Sequence, residues 1–67
     1  MNRLKEIREK RNISQRELAR RTNITSAQIS RYESGQKLTE ESIRQIVIAL
    51  DTSADYLLGL IDDEEKK

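Results

Sequence analysis

Two helix-start signatures stand close together in this chain: Ser14 with Glu17 three residues on, and Thr25 with Gln28 three residues on. In each, a hydroxyl ahead of the first turn accepts from one of the orphan N–H groups that a helix N-terminus leaves, and the Glu or Gln reaches back to another. The spacing predicts two helices of about seven residues joined by a turn too short for an antiparallel hairpin, so they must cross steeply. A steep crossing needs a small residue where the helices touch, and Ala19 is placed for that. It needs a turn residue that tolerates positive φ, which points to Asn23. It also needs apolar plugs on the inner sides, and Leu18, Ile24, Ile29 and Tyr32 fall in register.

The rest of the chain punctuates in the same way. A first helix is expected from about Arg3 to Arg11, with Asn2 as N-cap, Leu4 and Ile7 on one face, and Asn12 in the left-handed position after its end. Gly35 closes the third helix. Thr39 caps a fourth, with Glu40 and Glu41 in the first turn, where the helix dipole favours negative charge. Ile43, Ile46, Val47 and Leu50 form its apolar stripe. Ser53 with Asp55 opens a fifth helix carrying Tyr56, Leu57 and Leu60 and closing near Gly59. No run alternates apolar and polar residues in the manner of a strand. The expected fold class is all-α, a compact five-helix domain over residues 1–61 with the steeply crossing pair as helices 2 and 3. Residues 62–67 read as an acidic tail, frayed and solvated or the stub of a linker.

Composition narrows the function. The 67 residues include no Cys, His, Pro, Phe or Trp, and the aromatics are Tyr32 and Tyr56. Disulfides, the usual zinc ligands and the commonest general base are therefore missing. Without a turn-forming glycine, the acids from Asp62 to Glu65 do not make a calcium loop. No cofactor or metal is expected. There is no nucleophile–base pair or phosphate-cradling glycine loop, so an enzyme is not expected. No apolar run reaches the roughly 20 residues of a membrane span, and the start lacks a signal-peptide core. A domain this small buries only about 60% of its unfolded surface, leaving no room for a ligand-sensing pocket. The expectation is a soluble, cytoplasmic binding domain.

The charge is badly mixed. Residues 1–37 hold ten basic groups against four acids, a net of +6, and residues 38–67 hold three against eight, a net of −5. Such a split fits a polyanion-facing surface and equally an Arg-rich solvated one. Arg3, Lys5, Lys10 and Arg11 stand at pairing distances from Glu6 and Glu9 (Glu6–Lys10 at i, i+4), which reads as surface ion pairing. Arg20 and Arg21 divide evenly between approach to a polyanion and solvent.

The stretch ISQRELARRTNITSAQISRYESGQ, with the ending IVIALDTSADYLLG, resembles the lambda-repressor-like helix-turn-helix family (Cro/repressor, or xenobiotic-response-element, type) over roughly residues 2–60. The joint pattern SQxELA, IxRYExG and SxDYLLG carries the likeness. It implies that the third helix enters the major groove of double-stranded DNA while the second crosses the backbone above it. Ser26, Ala27, Ser30 and Arg31 then face the bases, Arg31 foremost, because a guanidinium can bond guanine O6 and N7 together. Gln15, Arg16, Thr25, Gln28, Ser34, Gln36 and Lys37 are implied at the backbone, with closure of the capping box onto Thr25 an equally good role for Gln28. Arg8 and Glu33 match an ion pair that orients the third helix. Dimerisation through the end of the chain is implied, with Ile48, Leu57, Leu58, Leu60 and Ile61 as candidates. Ile48 falls off the inner stripe of its helix, so it is either interface or an isolated exposed residue. Asn12, Thr22 and Asn23 depart from the family pattern, Thr22 at a position usually apolar.

These readings give a homodimeric DNA-binding transcriptional regulator, most often a repressor in proteins this small, of prokaryotic or phage type, acting on an inverted repeat. The competing class is a helical protein-interaction module that keeps the fold without DNA binding. The serine- and arginine-bearing outer face of the third helix speaks against it, since a protein-binding face would carry an apolar patch.

Overall fold

A computed structural model of the protein describes residues 2–64. It contains α1 (Leu4–Lys10), α2 (Gln15–Arg21), α3 (Ser26–Glu33), α4 (Glu40–Leu50) and α5 (Ala54–Leu57), with no strand among the described residues. The all-helical class and the number of helices are as expected. Helix α5 is a single turn, shorter than expected, because Gly59 closes it at once.

Each helix turns its apolar positions, spaced three or four apart, toward one core. Leu4 and Ile7, Leu18, Ile29 and Tyr32, Ile46 and Leu50, and Tyr56 and Leu57 are all buried there, joined by Ile13 and Ile24 from the turns. Ala19 packs on the edge of this cluster.

Hydroxyl caps set the starts. Ser14, Thr25, Thr39 and Ser53 accept from the N–H of Glu17, Gln28, Ser42 and Tyr56 at 3.0–3.1 Å. The reciprocal half of both expected capping boxes is not formed. Glu17 turns along its helix to Arg20 and Arg21 at 3.3 and 2.8 Å, and Gln28 turns to Arg31. Charge-assisted pairs outweigh a neutral N–H as partners. Helix α1 begins one residue later than expected, with Arg3 as cap residue; Asn2 Oδ1 still accepts from the Leu4 N–H at 2.9 Å.

Four helices end alike, on a left-handed residue followed by a six-to-one backbone bond. Asn12 (φ 58°) and Gly35 (φ 119°) do this as expected, and Gly59 ends α5 the same way. Helix α4 uses Asp51 (φ 54°), a residue type that visits this region occasionally. Asn23, expected at positive φ, does not adopt it: α2 is the exception. Thr22 leaves α2 extended (φ −133°, ψ −178°). Its hydroxyl donates to Leu18 O at 2.9 Å and accepts from the Ile24 N–H at 3.2 Å. The polar residue at an apolar family position therefore builds the turn. From α4, Gln45 Oε1 accepts from the Asn23 N–H at 2.6 Å, so the turn needs no left-handed residue.

The basic residues of α1 find other partners than expected. The Glu6–Lys10 pair is not among those formed: Glu6 accepts from the Tyr56 hydroxyl at 3.2 Å and Lys10 pairs with Glu64 at 3.6 Å. Arg3 lies over the Tyr56 ring, 4.6 Å from its centre, and pairs with Asp62 at 3.8 Å. Arg11 donates to Leu50 O, to Asp51 O at 3.1 Å and to Glu64 at 2.6 Å, placing a cation at the C-terminal end of α4. Of the stretch expected to be solvated, Asp62 and Asp63 are exposed and Glu64 is drawn in, its side chain 10% exposed. Residues 65–67 of that expected tail lie outside the described residues.

This gives an acid dependence. Burial pushes the Glu64 carboxyl up, but the Thr52 side chain, the Arg11 hydrogen bond and the charges of Arg11 and Lys10 together outweigh it and hold the group below its ordinary value. A lowered folded pKa stabilises above the unfolded value, about 4.3, and that contribution fades as pH falls through the folded one. Glu64→Gln is expected to lower Tm at pH 7 and to leave it unchanged at pH 2–3, measured by circular dichroism melts. An equal deficit at both pH values would show that the charge is not the cause.

Candidate nucleic-acid interface

Helix α3 is locked on its inner side from three directions. Ile29 and Tyr32 are buried, and the Tyr32 hydroxyl shares a 2.8 Å hydrogen bond with Ser42 Oγ of α4. From the N-terminus, Asn2 Nδ2 donates to Tyr32 O at 3.1 Å. At the end of α3, Glu33 receives Arg8 Nε at 2.7 Å, Arg8 Nη2 at 3.3 Å and Gln15 Nε2 at 3.0 Å. Arg8 Nη1 also donates to Ile13 O at 2.8 Å. The Glu33 hydrogen bond and charge raise the Arg8 pKa against the opposing effect of burial, so the guanidinium stays charged. One carboxylate thus ties α1, α2 and α3 together, and the side chains of the ion pair are only 11% and 7% exposed.

Ser42 is one of two buried polar or charged residues in the core, and sequence reasoning passed over it. Its small side chain sits in the stripe of α4, where only the partner Tyr32 distinguishes it from an alanine. Ser42→Ala leaves the tyrosine hydroxyl buried without its partner, an expected loss of about 1–3 kcal/mol. Urea unfolding checks this, and a change below about 0.5 kcal/mol would mean that water replaces the serine.

With the inner side fixed, α3 turns Ala27, Ser30 and Arg31 outward, with Ser34 following them; all four are exposed, and Ser26 is half-buried. The Ser34 hydroxyl donates back to Ser30 O at 3.0 Å. Thr25 and Ser26 border an open groove of about 410 Å³ between α2 and α3, lined also by Arg16, Ala19, Arg20 and Asn23. Gln36 and Lys37 are exposed beyond the end of α3. Among the described residues, Arg16, Arg31 and Lys37 enter no ion pair, whereas Arg20 and Arg21 are both paired with Glu17. The Arg21 hydrogen bond is the chief reason that the Glu17 carboxyl is held below its ordinary value. Of the unpaired cations, Arg16 lies at the start of α2, Arg31 in the last turn of α3 and Lys37 beyond it; Lys5, also without an ion pair among the described residues, lies away from the motif on α1.

A family model described as helix-turn-helix matches residues 4–57. The chain belongs to the lambda-repressor-like helix-turn-helix family. It is a DNA-binding regulator, and double-stranded DNA is its partner. Neither a curated protein nor a solved structure matches the chain. No helix of this helix-turn-helix regulator is long and apolar enough to cross a membrane among the described residues.

Two residues with implied roles are engaged within the fold. Gln15, implied at a phosphate, has its amide nitrogen on Glu33. Leu57, a candidate for the dimer surface, is fully buried. Its position follows Tyr56 in the short α5, and a one-turn helix presses both residues into the core. Of the remaining candidates, Ile48 is 74% and Leu60 70% exposed, while Leu58 and Ile61 are half-buried. Gln45 was missed because its partner lies in a turn 22 positions away.

Proposed function

We propose that the chain represses transcription by occupying an inverted repeat as a homodimer, with α3 of each copy in the major groove. The observation that carries this reading is the division of α3: Ile29, Tyr32 and Glu33 are consumed by the fold, and Arg31 is exposed with no ion pair. Ser26, Ala27, Ser30 and Arg31 read base edges, with Ala27 suited to a thymine methyl and Arg31 to guanine. Gln15, Arg16, Thr25, Ser34, Gln36 and Lys37 hold the sugar-phosphate backbone. Residues 1–61 act as the binding unit. Repression needs no more than occupancy of a promoter, which blocks polymerase.

Two copies are needed because a single module buries only about 600–1,000 Å² against DNA, little for tight specific binding. Major-groove half-sites lie roughly 34 Å apart on one face of the duplex. Each copy spans 29 Å along its longest axis, so two fit side by side, and side chains reaching beyond the backbone envelope bring them into contact. Ile48 and Leu60, with Leu58 and Ile61 beside them, are the apolar residues on offer for that contact.

A salt titration on random duplex tests the DNA-binding surface. Log K is expected to fall with log salt at a slope of about −0.9 for each phosphate neutralised. A flat dependence would favour the protein-interaction alternative. Sedimentation tests the dimer, and a monomer at high concentration that remains a single copy on selected operator DNA would remove it.

A further inference from the structure

We infer that Gln28 is a positioning residue that aims Arg31, and not a contact to the DNA backbone. This rests on the proposal that Arg31 reads a base. The two residues stand three apart on α3, the separation at which side chains on a helix meet. Arg31 Nη1 donates to Gln28 Oε1 at 3.2 Å, a charge-assisted bond. The other end of the same amide, Gln28 Nε2, is buried and has no hydrogen-bond partner. Nε2, the only donor of the amide, is inside and out of reach of a phosphate, and the oxygen, which can only accept, is engaged by Arg31.

The cap does not require this side chain either. Thr25 Oγ1 accepts from the backbone N–H of Gln28, which any residue but proline supplies. An apolar residue of the same length would avoid burying an unsatisfied amide, which has a free-energy cost. The structure bears that cost and obtains an acceptor one turn ahead of the guanidinium. Arg31 has five N–H donors, so one bond to Gln28 leaves enough to engage guanine O6 and N7 together. A free arginine must be ordered when it docks on a base, at about 0.5–1.5 kcal/mol for a rotamer-rich side chain. Gln28 meets part of that cost before DNA arrives. The saving applies only where the base accepts the guanidinium, so it appears as discrimination and not as general affinity.

The test uses the full chain, the tightest duplex selected from a random pool, and the set of single-base-pair variants of that duplex. Gln28→Leu is expected to leave Tm unchanged or raised, and to leave affinity for random duplex and its salt slope unchanged. Discrimination at the base pair read by Arg31 is expected to fall roughly 2- to 12-fold. In an Arg31→Ala background, Gln28→Leu should have no further effect on that base pair. Gln28→Met is read in the same way if the leucine variant does not fold. A uniform loss on every duplex would make Gln28 a backbone contact and overturn the inference. Unchanged discrimination in Gln28→Leu, with a large loss in Arg31→Ala, would overturn it and leave the base-reading role of Arg31 standing. No change of base preference in Arg31→Ala would overturn both.

Discussion

Glu33→Ala is expected to destabilise the domain by about 3–5 kcal/mol, because it strands a buried cation. The carboxylate accepts from Arg8 twice and from Gln15 once, and Glu9 adds only a weaker attraction to the Arg8 guanidinium. In a domain of this size each kcal/mol moves Tm by roughly 4–8 °C, so most of the native population is at stake. Replacing both partners with apolar residues of similar volume is expected to recover much of the loss, since neither charge is then left buried alone. Urea unfolding followed by far-ultraviolet circular dichroism measures both variants. A single variant that loses less than 1 kcal/mol would mean that the guanidinium escapes to solvent, and the ion pair would not then be what fixes α3 against α1.

The second large effect concerns DNA. Arg31→Ala is expected to reduce discrimination at one base pair by about 1–3 kcal/mol while leaving the salt slope nearly unchanged. Lys37→Ala should do the reverse, weakening every duplex alike and reducing the slope by about 0.9. The contrast follows from position. Arg31 lies in the last turn of α3 on its outer face, and Lys37 lies beyond the helix end, where the proposed docking brings phosphates and not base edges within reach of its compact charge. Fluorescence anisotropy on the selected duplex, its point variants and random duplex at several salt concentrations separates the two patterns. If Arg31→Ala weakened all duplexes equally, the guanidinium would belong to the backbone contacts and the base-reading face would have to be sought at Ser26 and Ala27.

What was legible in the residues alone was local. Ser14, Thr25, Thr39 and Ser53 start their helices because a hydroxyl and an N–H three residues on are brought together by the chain itself. The apolar spacing of Ile29 and Tyr32, or of Ile46 and Leu50, is likewise a property of one helix and needs no neighbour to be read. The outer face of α3 follows by subtraction from its inner one. The family match over residues 4–57 rests on the same local pattern.

Tertiary structure decided the choices in which two partners are far apart in sequence. Asn23 was a reasonable left-handed residue until Gln45 of α4 took its N–H, after which the extended path through Thr22 satisfied the turn. Glu17 and Gln28 had local roles open to them, and arginines one turn along their own helices won by charge. Glu64 looked like part of a solvated tail, yet Arg11, some 50 positions earlier and already held at the end of α4, draws it in. Leu57 and Leu60 looked equivalent, and only the packing of a one-turn helix sends the first inside and the second out. Hydrogen bonding within a few residues is set by backbone geometry and can be read from spacing. Competition between a near partner and a distant one depends on which groups the fold brings within reach, and no spacing in the chain records that.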